Sequence, residues 1–109
     1  MRWTNSHEEI KHLVSIQNEL TNAIENGFLI NVTLSDNRIF EGFLSNQSSG
    51  NNGISFSSFY GNLTLLTLDN NKFEIDLLDI KCIINSTTKD KVKEYEKAGI
   101  ITIVDYSSK

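Results

Sequence analysis

Three residues in this chain carry the imidazole and thiol groups that ligate transition metals: His7, His12 and Cys82. Zinc takes imidazole nitrogens and thiolate sulfurs in tetrahedral sets of four. His7 and His12 stand five positions apart, which puts them on different faces of a helix, and no fourth ligand suggests itself. They read as exposed helix histidines and a buried thiol, with no metal and no other cofactor. Glu74, Asp76 and Asp79 offer a second chemistry, because neighbouring carboxylates can bind cations or exchange protons. Glu74 and Asp76 alternate with Phe73, Ile75 and Leu77, beside Lys72, which is the pattern of a solvated strand face. The glycine-rich run "SSGNNGIS" lacks the Gly-Lys-Ser/Thr ending of a phosphate loop. No serine has His and acid company at a recognisable spacing. The chain is therefore expected not to be an enzyme.

Binding chemistry is better represented. Phe56, Phe59 and Tyr60 cluster beside Asn62, and loop aromatics can stack on bases or anchor a protein partner. They can also fold inward and cap the core, and both readings stand. Lys81 joins them as a candidate contact for nucleic acid or a partner. The chain carries 14 acidic and 10 basic residues, a formal net charge of −4. Proteins that neutralise phosphates show a basic face, so this balance leans away from nucleic acid and fits a basic protein partner.

The elements that position these residues can be read from periodicity. The 109 residues make one domain, expected to be cytoplasmic: there is one cysteine, no apolar leader and no membrane-length apolar run. Residues 6–26 predict a helix, with Ser6 and Glu9 spaced as a capping box and Gly27 placed to end it. Trp3 either packs back against this helix or lies exposed. From 28 to 84 the period changes to two. A two-residue loop at 36–37 would set Gly42 beside Asn31. A three-residue loop with Asn37 in the left-handed region sets Gly42 opposite Ile30 and gathers Phe28, Ile30, Val32, Leu34, Phe40 and Leu44 on one face. Register follows the face that must be buried, so the second is preferred. Ile39 and Phe43 then lie outside and need covering, by the chain itself in the simplest case.

Residues 46–61 read as a turn-rich loop flanking a short strand at 54–59. Further strands follow at 62–68, at 72–77 with Phe73, Ile75 and Leu77 inward, and at 80–84 with Ile80, Cys82 and Ile84 alternating. Residues 85–109 form an extension. Thr88 caps a charged helix ended by Gly99, with Val92 and Tyr95 as its apolar contacts, and 100–104 predicts a last strand. The whole is mainly β with helices: a leading helix, a small strongly bent antiparallel barrel of the SH3 type, and a short C-terminal helix and strand.

Within this frame "LINVTLSDNRIFEGFL", residues 29–44, resembles the first motif of the Sm/LSm/Hfq superfamily. Val32 and Leu34 take its first strand, and Phe40, Gly42 and Leu44 the aromatic-x-Gly-x-Leu second strand. "DIKCII" at 79–84 resembles its closing strand. The resemblance covers 6–84 and implies an RNA-binding module, with the glycine allowing the second strand to bend and ring-shaped homo-oligomers as a possibility. The superfamily's acidic–aromatic–Met-Asn loop has no counterpart beyond Asn62. Its Arg-Gly or Lys-His pair is replaced by Asp79-Ile80-Lys81-Cys82. The alternative is a protein-interaction module, such as an acidic immunity or antitoxin-type protein that neutralises a basic partner.

Overall fold

The computed structural model describes residues 2–51 and 58–100. Helix α1 spans His7–Ala23, and the Ser6 hydroxyl accepts a bond from the Glu9 N–H at 3.2 Å. Glu9 reaches back beyond Ser6, its Oε1 accepting from the Asn5 N–H at 2.7 Å. Leu13, Ile16, Leu20 and Ala23 form the buried stripe. A 3-10 turn over Ile24–Asn26 leads into Gly27 at φ 129°. A Cβ there would stand 2.5 Å from Thr87 Oγ1, so both backbone angle and space call for glycine. Among the described residues no helix is long and apolar enough to cross a membrane.

Five strands follow: β1 (Leu29–Leu34), β2 (Ile39–Asn51), β3 (Phe59–Leu66), β4 (Lys72–Asp76) and β5 (Ile80–Asn85). They form one antiparallel sheet in the order β4-β3-β2-β1-β5. Ile30 faces Gly42 and Val32 faces Phe40, the register of the three-residue loop, with Asn37 at φ 70°. The inner residues Ile30, Val32, Leu34, Leu44, Leu63, Leu65, Ile75 and Ile80 join the α1 stripe in one core. A Cβ on Gly42 would lie 3.1 Å from both Leu65 Cβ and the Leu66 carbonyl oxygen. The missing side chain lets β3 cross over β2, and the sheet folds round its own core.

Several expectations are corrected. Residues 46–51 are strand, not loop, and β3 begins at Phe59. Their Ser, Asn and Gln side chains show no apolar alternation, yet their backbone pairs from Asn46–Thr64 to Asn51–Phe59. β4 stops at Asp76, and Leu77–Asp79 form a 3-10 turn begun by the Asp76 carboxylate, which accepts from the Leu78 N–H. In β5 the pairing slips between Thr33 and Leu34, leaving Lys81 as an extra residue. That bulge reverses the alternation: Ile83 faces in beside Val32, and Ile84 is 61% exposed. Phe28 precedes β1 and is half exposed rather than core, meeting Phe43 edge-on at 6.1 Å. The strand expected at 100–104 lies outside the described residues apart from Ile100.

Helix α2, Lys89–Lys97, starts at Thr88, whose hydroxyl accepts from the Lys91 N–H. It lies on the outer face of the sheet, where Lys91 Nζ meets Glu41 Oε2 at 2.6 Å and Tyr95 is buried. Leu29, whose side chain points opposite to the core residue Ile30, is buried on this side. Ile39 stays 66% exposed, so the chain covers only part of that face. Burial, with Glu41 and Glu94 nearby, raises the Tyr95 phenol above its ordinary value of 10.0. A raised phenol favours the neutral form, so its stabilising contribution is full below the unfolded value and is lost as pH rises through the folded one. Tyr95→Phe is expected to remove that alkaline loss. The difference in melting temperature between wild type and variant, followed from about pH 8 to pH 11, checks it.

The two sheet edges differ. β5 is closed on its outer side by α1: the Ile83 N–H donates to Glu19 Oε1 at 3.3 Å, and His12 Nε2 donates to the Ile80 carbonyl at 2.7 Å. His12 is therefore half-buried and engaged, not an exposed helix histidine. Among the described residues β4 pairs with β3 alone.

Candidate functional site

The aromatic patch is divided between two faces of β3. Phe59 packs against the core. Its N–H donates to Thr4 Oγ1 at 2.9 Å and its carbonyl accepts from the Thr4 N–H at 2.8 Å, which pins the N-terminal segment to the sheet. Tyr60 points the other way and lies across Gly50, where an added Cβ would be 2.8 Å from its ring. Trp3 lies exposed, at 40% of its surface, and meets Tyr60 edge-on at 5.1 Å. Asn62 sits two residues on, paired with Ser48 and Asp76. Phe56 lies outside the described residues. Lys81 belongs to another region, its Nζ donating to Asn37 Oδ1 at 3.2 Å beside the β1–β2 turn. His7, His12 and Cys82 are not brought together, and among the described residues no group of His, Cys, Asp and Glu is arranged to hold a metal.

A cleft of about 500 Å³ opens between the β1–β2 turn and β4. Leu34, Phe40, Phe73 and Ile75 give it an apolar floor, and Asp36, Glu74, Asp76 and Asp79 stand round it with Arg38. Phe40 and Phe73 meet at 5.3 Å between centroids, a contact set up by the close crossing at Gly42. Arg38 places its guanidinium 5.9 Å from the Phe40 ring centre and its Nε 2.7 Å from Asp36 Oδ2. Hydrogen bonds from the Arg38 backbone N–H and guanidinium hold the Asp36 carboxyl below the ordinary carboxylate range. Asp79 is paired with Arg2 Nη1 at 2.9 Å. Glu74 has no ion-pair partner among the described residues.

No family model matches this chain, and no curated protein matches it in sequence. In structure it is similar to a protein of Xanthomonas campestris, whose crystal structure is described as adopting a novel variant of the Sm-like motif. The TM-score is 0.56 at 12% identity, over 79% of this chain and 94% of that one. The fold is Sm-like. The likeness extends to the helix-plus-bent-sheet architecture and carries no site residue from one protein to the other.

Within that Sm-like frame, sequence reasoning placed Phe40 and Phe73 inside the core and Glu74, Asp76 and Asp79 on a solvated face. Phe73 is 38% exposed, and among the described residues no strand pairs with the far side of β4. The usable signal was an inward aromatic at the start of an edge strand, flanked by carboxylates. Which strand forms the edge depends on the topology, and periodicity does not report it.

Proposed function

We propose that this chain is a non-catalytic, cytoplasmic binding module whose partner is a protein with a basic surface, as in acidic immunity or antitoxin-type proteins. The observation that supports this reading is the charge around the cleft. Four carboxylates and one arginine line it, and that arginine is already paired with Asp36. Lys81 is engaged by Asn37, and Arg2 by Asp79. Such a rim attracts cationic groups and repels phosphates.

RNA binding, which the Sm-like resemblance implies, is the competing reading, favoured by the Trp3–Tyr60 pair as a stacking platform. A labelled single-stranded RNA oligonucleotide and labelled poly-L-arginine, each titrated at low salt, separate the two. Poly-L-arginine is expected to bind and to weaken as salt rises, with no RNA binding. RNA binding with a counterion-release slope, and none to poly-L-arginine, would overturn the proposal.

A further inference from the structure

Resting on that reading, we infer that the cleft receives a single arginine side chain, presented by an extended segment of the partner laid along the free edge of β4. The cleft wall includes Phe73, Glu74, Ile75 and Asp76 in succession. Adjacent strand residues point to opposite faces, so a wall made of consecutive residues means that the strand presents its edge. Among the described residues that edge has no partner in the sheet, and an extended peptide adds to such an edge through main-chain hydrogen bonds.

The side-chain chemistry is already demonstrated inside the molecule. Arg38 sits over Phe40 and against Asp36, an arginine held between an aromatic face and a carboxylate. Phe73 and Glu74 offer an aromatic ring and a carboxylate along the opposite wall of the same cleft, with no ion-pair or ring-stacked cation of their own among the described residues, and Phe73 leaves more than a third of its surface to solvent. A planar guanidinium suits this place better than an ammonium, because it stacks on a ring while donating sideways to a carboxylate. Charge complementarity thus names the side chain, and the open edge names the backbone that carries it.

The test uses the full chain and a synthetic peptide of alternating Thr and Val with one central Arg. Binding is followed by calorimetry and by backbone amide shifts. The Arg peptide is expected to bind and to shift amides in β4 and around Phe40. Replacing its Arg with neutral citrulline, or N-methylating alternate amides, is expected to weaken it about tenfold. Phe73→Ala and Glu74→Gln should do the same without changing the fold, since both positions are exposed; circular dichroism verifies that they remain folded. If poly-L-arginine binds the chain but the Arg peptide is insensitive to both variants, the cleft assignment is overturned and the basic-partner reading survives. If no basic probe binds, both fall. A dimer of the chain that is lost on Phe73→Ala would place a second copy on β4 and overturn the inference.

Discussion

Gly42→Val is expected to lower the stability of this chain by about 3 kcal/mol, the upper end of what overpacking a filled interior costs. For a domain of this size that is a fall in melting temperature of roughly 12 °C or more. The first added carbon would already stand 3.1 Å from the Leu66 carbonyl oxygen and from Leu65 Cβ. Neither is the free end of a flexible side chain, so the strands themselves must separate. Valine's two further carbons widen the gap at the crossing that gives the sheet its bend. Gly42→Ala should fall between wild type and Val, at about 1 kcal/mol. Gly50 is the control: an added Cβ there meets the Tyr60 ring, which can swing aside into solvent. Gly50→Ala should therefore cost less than Gly42→Val, although both lie in β2. Because the crossing also brings Phe73 against Phe40, Gly42→Val should increase Phe73 exposure. Melting curves and the aromatic signals of Phe40 and Phe73 read both effects. A Gly42→Val chain that melts with the wild type would separate the bend from this contact.

How much of this was legible in sequence depends on where the deciding partner lay. Ser6 and Glu9 act on their own helix turn, and the cap could be read. The β1–β2 register could be read as well, since Ile30, Val32 and Leu34 must share a buried face and Asn37 can take positive φ. Residues 46–51 could not, because both faces of that strand are polar and its cause is backbone pairing with β3. The inward turn of Ile83 follows from a one-residue bulge at Lys81, which a pattern of alternating isoleucines does not announce. His12 was misjudged for a related reason: its partner is a backbone carbonyl 68 positions away, and a carbonyl has no residue type to recognise. The cleft escaped notice because Phe73, expected to face inward, is exposed and meets the partly buried Phe40 beside the carboxylates. Only the position of β4 at the edge of the sheet makes a site of them.

The contrast between the two edges also predicts how the chain behaves in solution. A ring built by strand pairing needs two open edges on each copy, one to give and one to receive. Among the described residues β4 offers one, but Glu19 and His12 occupy backbone groups on the outer side of β5. The native chain is therefore expected to run at its monomer mass of 12.3 kDa in light scattering, with no hexamer or heptamer. The double variant His12→Ala, Glu19→Ala leaves the Ile83 N–H and the Ile80 carbonyl unpaired beside α1. Stranding two half-buried polar groups costs about 2–4 kcal/mol if water cannot reach them. The alternative open to those groups is the β4 edge of a second copy, so the variant should be both less stable and prone to concentration-dependent association. Glu19→Gln, with His12 kept, retains an acceptor oxygen at the same reach and should keep wild-type stability and monomer mass. A native ring would show that β5 gives up its helix-side bonds to pair with a neighbour. It would also bury the β4 edge that the arginine-bearing segment requires. The state of β5, a strand distant from the cleft in the sheet order, thus decides whether the cleft is free to bind.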